Sequence, residues 1–226
     1  MEWLHDFINL IFPANCAACG NILMRNERII CSECIYHLPK TDFHLIHDNP
    51  VARIFWGRIM IEQATAYYFF NKGSRFRRLI HELKYQGRQD IGYELGRAFG
   101  HDLLNSGFRD IDMVIPIPLH RNKLRRRGYN QSESIAGGIA ESMDKPVSTT
   151  SVIRVSQTGT QTRKSRYERW LNVKDVFRVT EPLLLAGKHI LLVDDVLTTG
   201  ATMEACAAVI QEVKGTKVSI AALAVA

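Results

Sequence analysis

Residues 189–202 read HILLVDDVLTTGAT, and this segment predicts the architecture to which the rest of the chain conforms. Residues 190–193 are all apolar, as expected of a strand that is buried on both faces at the centre of a parallel sheet. A helical pattern follows over residues 202–213, with Ala205, Val209 and Val213 on one stripe. A strand that leads directly into a helix predicts an α/β fold with a ligand at the carboxyl ends of its strands.

The junction between this strand and this helix carries the candidate binding residues. Asp194 and Asp195 are neighbouring carboxylates, which can accept hydrogen bonds from vicinal ribose hydroxyls and attract Mg²⁺. The threonine hydroxyls and the backbone N–H groups around Gly200 face the positive end of the helix, which favours a phosphate. The alternative is a strand that ends in two solvated acids before a turn that only caps the helix. The predicted ligand-binding residues of this junction are Asp194, Asp195, Val196, Leu197, Thr198, Thr199, Gly200, Ala201 and Thr202.

The other strand and helix patterns alternate along the chain. Strands are predicted at residues 59–70, 112–118, 149–155, 173–179 and 217–225, and helices at 74–85, 91–104 and 131–143. This order predicts an α/β fold with a doubly wound, mainly parallel sheet.

Two basic segments suit an anionic ligand. The first, IPIPLHRNKLRRRGYNQ at residues 115–131, supplies Arg121, Lys123 and Arg127 as candidate ligands for a pyrophosphate group. The second, at residues 156–170, has the composition of a mobile loop that closes over an anion, and Arg166 is its candidate catalytic residue beside Asp194 and Asp195. Either segment could instead be a solvated basic face.

The amino-terminal segment carries a metal-binding pattern. Cys16-Ala-Ala-Cys19 and Cys31-Ser-Glu-Cys34 are two Cys-x-x-Cys pairs, separated by eleven residues. Two such turns complete a tetrahedral thiolate site for a structural Zn²⁺ ion. The alternatives are a redox-active pair and a chance arrangement. We expect a short amphipathic helix at residues 3–11, a zinc ribbon within residues 1–48, and the α/β domain over residues 49–226.

Composition limits the remaining possibilities. The chain has 226 residues, 46% of them hydrophobic, and a net charge of +6 that favours anionic partners such as phosphates or nucleic acid. Glu2 and Asp6 lie where a signal peptide has basic residues, and no apolar run approaches the ~20 residues that span a bilayer. We therefore expect a cytoplasmic protein without membrane insertion, whose cysteines are reduced or bound to metal.

Residues 189–202 resemble the phosphoribosyl pyrophosphate signature of the type I phosphoribosyltransferases. This resemblance implies that Asp194 and Asp195 hold the ribose 2′- and 3′-hydroxyls, while residues 198–202 hold the 5′-phosphate. The chain as a whole resembles the competence protein F (ComF) family, through the double Cys-x-x-Cys, LKY at residues 83–85, PIPLHRNKLRRRGYNQ, TQTRKSRYERWLNV and VDDVLTTGAT. That resemblance implies a zinc ribbon fused to a phosphoribosyltransferase fold, and a link to the uptake of single-stranded DNA in natural transformation.

Two functions remain open from the sequence. The first is transfer of a phosphoribosyl group from phosphoribosyl pyrophosphate, with Mg²⁺, to an unidentified acceptor. The second is a non-catalytic protein that senses phosphoribosyl pyrophosphate or binds single-stranded DNA alongside other competence proteins, because aromatic residues are interspersed among the basic ones. Glutamine-dependent amination is not expected, since residues 1–48 are too short for a glutaminase domain and their cysteines are assigned to metal.

Overall fold

The elements of the protein follow the predicted alternation of strands and helices. The structure, a computed structural model, describes residues 14–71, 75–155 and 176–226. The helix predicted at residues 3–11 and the basic segment at 156–170 lie outside the described residues. None of the helices in the described ranges is long and apolar enough to cross a bilayer. In chain order the elements are α1 (Ser32–His37), a 3-10 turn (Phe43–Leu45), α2 (Pro50–Phe55), β1 (Ala64–Phe69), α3 (Arg75–Tyr85), α4 (Gln89–Leu104), β2 (Met113–Pro116), α5 (Arg121–Arg127), α6 (Gln131–Met143), β3 (Val152–Arg154), β4 (Phe177–Val179), α7 (Pro182–Leu185), β5 (His189–Leu197), α8 (Ala201–Gln211) and β6 (Lys217–Val225).

Four strands form the central sheet in the order β1-β6-β5-β2, and every neighbouring pair in it is parallel. β5 lies inside the sheet, with Leu192 opposite Ile220 of β6 and Ile115 of β2. Residues 190–193 have no exposed surface, as predicted for a strand at the centre of a parallel sheet. The predicted α/β class and the mainly parallel sheet are confirmed.

A separate hydrophobic core covers each face of the sheet. Leu191 and Val193 pack with residues of α3, α4 and α6, whereas Ile190 and Leu192 pack with residues of α2 and α8. Helices on both faces make the sheet doubly wound.

Two glycines allow α4 and α6 to pack closely. A Cβ at Gly96 would lie 2.3 Å from the carbonyl oxygen of Ile135, and one at Gly138 would lie 2.1 Å from that of Tyr93. Neither position tolerates a side chain at this helix separation. The close packing fixes α6, whose first turn lies against the carboxyl end of β5.

Two of the predicted strands do not join the parallel sheet. Residues 152–154 and 177–179 pair with each other as an antiparallel ladder, β3 with β4. Only Val152 and Phe177 of these strands are buried. A strand with one buried face suits a small surface ladder, whereas an internal strand of a parallel sheet needs apolar residues on both faces. The strand predicted from residue 59 begins at Ala64, and the first basic segment contains the helix α5.

The amino-terminal segment shares a core with the α/β fold. Cys16, Cys31 and Cys34 are buried in the same cluster as Tyr68 of β1 and Phe76 of α3. Beyond α1 the chain follows the free edge of β1, where the amide of Phe69 donates to the carbonyl of Pro39 and the amide of Thr41 donates to that of Tyr67. The segment is therefore packed onto the sheet edge and α3.

Candidate functional site

Asp194 and Asp195 form a half-buried acid pair near the carboxyl end of β5. Oδ1 of Asp194 accepts hydrogen bonds from Oγ of Ser132 at 2.8 Å and from the amide of Asp195 at 2.9 Å. Oδ2 of Asp195 lies 2.9 Å from Nζ of Lys84, at the end of α3. The two acids therefore have different environments, a hydroxyl donor for Asp194 and an ammonium group for Asp195.

The pKa of Asp194 reflects its removal from water. Burial, and then the negative charge of Asp195, raise this pKa to about 6, against the smaller lowering by the amide of Asp195, the hydroxyl of Ser132 and the charge of Lys84. Asp194 therefore changes its charge just below neutral pH. Its ionised form only accepts hydrogen bonds, whereas its protonated form also donates one.

The loop between β5 and α8 exposes backbone N–H groups. Gly200 is the N-cap of α8 with a φ of 75°, and no side chain caps this helix. A Cβ at Gly200 would lie 2.8 Å from Cγ2 of Ile54 and 3.0 Å from Cε1 of Phe55, so both the backbone and the packing require glycine. The first-turn amides of α8 are thereby free to bind an anion.

The nine predicted ligand residues of this junction differ in exposure. Thr198, Thr199, Ala201 and Thr202 are exposed around the turn. The side chain of Leu197 is buried in the core that includes α8, and that of Val196 packs against the core that includes α3, so these two residues offer only backbone to a ligand. The structure thus brings the acid pair and the glycine-capped turn together at one end of β5.

Arg58 holds this turn in place. One of its Nη atoms donates to the carbonyl of Thr199 at 2.9 Å and to that of Ile54 at 3.0 Å, and the other pairs with Glu204 of α8. Arg58 therefore connects the end of α2 with the turn and with the first turn of α8, and these contacts order the loop. No sequence pattern singled out this residue.

The first basic segment is held at both ends of α5. Nδ2 of Asn130 donates to the carbonyl of Ile117 at 3.0 Å, and its Oδ1 accepts from the amide of Ser132, so the segment returns to the sheet. Arg121 and Lys123 are exposed, and their role as ligands of an anion stays a prediction. Arg127 is half-buried instead: it donates to Oε1 of Gln131 at 2.6 Å and lies 5.5 Å above the ring of Tyr85.

The second basic segment, including Arg166, lies outside the described ranges, and Arg166 stays a prediction. Val155 and Val176, which flank residues 156–175, are hydrogen-bonded, since the amide of Val155 donates to the carbonyl of Val176 at 2.8 Å. Next to them is Arg154, whose guanidinium lies 5.4 Å above the ring of Phe177. Burial lowers the pKa of Arg154 and the charge of Asp194 opposes that effect, so Arg154 lies within electrostatic reach of the acid pair.

Four cysteine sulfurs meet at the amino-terminal end. The Sγ atoms of Cys16, Cys19, Cys31 and Cys34 all lie within 4.8 Å of one another, as predicted for one site. A tetrahedral site with Zn–S bonds of about 2.3 Å requires sulfur separations of about 3.8 Å. The Cys19 and Cys31 sulfurs are 3.8 Å apart, so this group can hold a zinc ion. Cys206 is separate from it and fully buried in α8.

Comparisons with known proteins agree with this geometry. Residues 130–225 match the model of the phosphoribosyl transferase domain family. The chain is 29% identical over 197 residues to the DNA utilization protein YhgH of Shigella flexneri, covering 83% of this chain and 80% of the relative. It is 27% identical over 211 residues to competence protein ComFC of Bacillus subtilis, covering 91% and 80%, and 32% identical over 135 residues to competence protein F of Haemophilus influenzae, covering 55% and 57%. These matches support a ComF-family protein of the phosphoribosyltransferase type.

Among solved structures, the chain is similar to the glutamine phosphoribosylpyrophosphate amidotransferase of B. subtilis, at 20% identity and a TM-score of 0.45. The alignment covers 63% of this chain and 30% of the amidotransferase chain.

Three contacts of this site were not predicted from the sequence. They are Lys84 with Asp195, Ser132 with Asp194, and Arg58 with Thr199. Lys84 belongs to the LKY motif and Ser132 follows GYNQ, so the family resemblance marked both neighbourhoods without giving either residue a role. Arg58 belongs to no such motif.

Proposed function

We propose that this ComF chain binds phosphoribosyl pyrophosphate together with Mg²⁺ at the carboxyl end of β5, and that it transfers the phosphoribosyl group to an acceptor. One observation carries the proposal. The acid pair of Asp194 and Asp195 and the uncapped first turn of α8 lie within a single segment of nine residues. That segment offers acceptors for vicinal sugar hydroxyls at one end and donors for a phosphate at the other.

The side chains have separate roles in this proposal. Asp194 and Asp195 orient the ribose through its hydroxyls, and the amides of residues 199–202 hold the 5′-phosphate. Arg121 and Lys123, which are exposed on α5, approach the pyrophosphate, and Arg166 acts from the second basic segment. Mg²⁺, for which the carboxylates are suitable oxygen ligands, would neutralise charge on the departing pyrophosphate.

The reaction follows from this arrangement. The bond between C1′ and the pyrophosphate oxygen breaks, and pyrophosphate leaves with the electron pair. A lone pair of the acceptor forms the new bond to C1′, and the proton that the acceptor loses passes to solvent. Positive charge that develops on the ribose lies beside the carboxylates of the acid pair. Such catalysis depends on position and electrostatics, so no nucleophilic side chain is needed.

The four-cysteine group is proposed to hold a structural zinc ion. Its sulfurs receive N–H donors from the backbone, since the amide of Cys31 lies 3.3 Å from Sγ of Cys16 and that of Asn21 lies 3.4 Å from Sγ of Cys19. Arg75 of α3 also lies 3.6 Å from Sγ of Cys34. These donors offset the charge of four thiolates, as the partners around a zinc–cysteine site do.

A second candidate function is the binding of single-stranded DNA in competence. It is favoured by the names of the relatives, a DNA utilization protein and competence proteins, and by the exposed cations of α5. Contacts with many phosphates weaken steeply as salt rises, whereas one enclosed sugar phosphate responds less. The slope of oligonucleotide affinity against salt concentration, measured for wild type and an Arg121→Ala/Lys123→Ala variant, tests this function.

The experiment for the first function is thermal unfolding with phosphoribosyl pyrophosphate and Mg²⁺. A ligand at 100 times its dissociation constant adds about 2.7 kcal/mol to the free energy of unfolding. We expect that stabilisation in wild type and its loss in Asp194→Asn/Asp195→Asn. Incubation of labelled phosphoribosyl pyrophosphate with bases, amines and oligonucleotides then separates transfer from binding alone. No stabilisation of wild type, or an equal stabilisation of the double variant, would reject the site.

A further inference from the structure

Lys84 forms an ion pair with Asp195, and its positive charge has no role in the reaction proposed above. Nζ of Lys84 lies 2.9 Å from Oδ2 of Asp195, and the two side chains are only 20% and 14% exposed. Lys84 is in the last turn of α3, one residue before Tyr85, whose ring lies under Arg127. The end of α3 thus contacts the acid pair through Lys84 and the end of α5 through Tyr85.

A negatively charged ligand beside the acid pair would favour a cation at the position of Lys84. Phosphoribosyl pyrophosphate carries several negative charges, and the acid pair that orients its ribose is itself negative. Among the described residues, Lys84 is the one cation that forms an ion pair with the acid pair. A lysine is suited to exchange partners, because its ammonium group is a point charge on a flexible stem with no fixed fork geometry.

The carboxylate oxygens of the acid pair already have hydrogen-bond donors. Asp194 already accepts from Ser132 and from the amide of Asp195, whereas Asp195 is occupied by Lys84. A sugar hydroxyl that approaches Oδ2 of Asp195 shares this oxygen with the ammonium group or replaces it. If the ammonium group moves to the ligand, the carboxylate gains a free acceptor and the ligand gains a cation in the same step.

We infer that Lys84 is a ligand-binding residue of this site, whose ammonium group leaves Asp195 and contacts the pyrophosphate group of bound phosphoribosyl pyrophosphate. The inference rests on the proposed function and adds to it a residue that recognises the leaving group. Lys84 therefore distinguishes phosphoribosyl pyrophosphate from sugar phosphates that lack a pyrophosphate group, such as ribose 5-phosphate.

Calorimetric titration of the full chain with each of these two ligands tests the inference. For Lys84→Ala we expect the affinity for phosphoribosyl pyrophosphate to fall by at least about tenfold, the value of one charge-assisted hydrogen bond, with that for ribose 5-phosphate changing less than about threefold. Lys84→Arg keeps the positive charge and should recover most of the loss. Lys214→Ala removes an exposed lysine just after α8 and should leave both affinities unchanged.

The possible outcomes separate the inference from the function on which it rests. If Lys84→Ala lowers the affinity for both ligands equally, Lys84 only positions Asp195. If it lowers neither affinity, Lys84 has no role in binding. Either result overturns the inference. In both cases wild type still binds and Asp194→Asn/Asp195→Asn does not. If wild type binds neither ligand, the proposed function fails and the inference fails with it. Thermal unfolding of each variant without ligand checks that it folds.

Discussion

Oγ of Ser132 donates a hydrogen bond of 2.8 Å to Oδ1 of Asp194, and this contact joins the first turn of α6 to the end of β5. The hydroxyl stabilises the ionised carboxylate and so opposes the burial that raises the pKa of Asp194 to about 6. Ser132→Ala removes the donor, and the pKa of Asp194 should rise further. We expect the affinity for phosphoribosyl pyrophosphate to fall roughly tenfold at pH 6.5 and much less at pH 8.5.

The control for this prediction is Ser142→Ala, at the other end of the same helix. Oγ of Ser142 donates to the carbonyl of Arg97, so the variant also loses one hydrogen bond of α6 without changing the acid pair. Titrations of wild type and both variants at the two pH values give the comparison. A loss for Ser132→Ala that is the same at both pH values would contradict the electrostatic role of Ser132.

Asp194 is expected to lower the stability of the folded chain at neutral and higher pH. Its pKa is raised from 3.8 to about 6, so the folded state holds this proton more tightly than the unfolded state does. Stability from this group is present below the unfolded pKa and is lost as pH rises through about 6. Asp194→Asn should therefore raise the free energy of unfolding by up to about 3 kcal/mol at pH 8, by less at pH 5, and abolish ligand binding.

Urea denaturation at the two pH values measures this effect. Asp144→Asn is a suitable comparison, because Asp144 is an exposed acid at the end of α6. A stabilisation by Asp194→Asn that does not depend on pH would show that the carboxylate is not destabilised by burial.

The sequence predicted those parts of the site that a short segment determines. Residues 190–202 combine a buried strand, two acids and a glycine-capped helix, and each is recognisable from local composition because its neighbours in the chain create its environment. The four cysteines are similar, since their spacing alone limits how they can meet.

The remaining contacts depend on the tertiary arrangement. Lys84 meets Asp195 only because α3 ends beside the carboxyl end of β5, and Arg58 meets Thr199 across a separation of 141 residues. Basic side chains at these positions are indistinguishable in the sequence from the solvated arginines around them. Local patterns likewise predict strands at residues 149–155 and 173–179 but do not reveal that residues 152–154 and 177–179 pair with each other outside the parallel sheet.

Gly200 should tolerate no side chain. Alanine at a φ of 75° costs about 1–2 kcal/mol, and its Cβ would also lie 2.8 Å from Ile54 and 3.0 Å from Phe55. Overpacking adds about 1–3 kcal/mol, so Gly200→Ala should lower the free energy of unfolding by about 2–5 kcal/mol and weaken phosphate binding. Gly87→Ala is the matched control, since Gly87 has a φ of 73° and nothing within 4 Å of the added Cβ. If chemical denaturation gives the same loss for both variants, contact with α2 is not what requires glycine at position 200.

The cysteine group should hold one zinc ion per chain, and its loss should destabilise the α/β fold as well as the amino-terminal segment. Cys34 is buried in the same core as Tyr68 and Phe76, so a segment that unfolds without metal exposes part of β1 and α3. Cys34→Ser should lower the zinc content measured by elemental analysis and lower the melting temperature of the whole chain. Cys206→Ala also removes a buried thiol, but this residue lies in α8 on the other face of the sheet. That variant should lose stability through a cavity and keep its zinc. Equal zinc content in both variants would contradict a four-cysteine site.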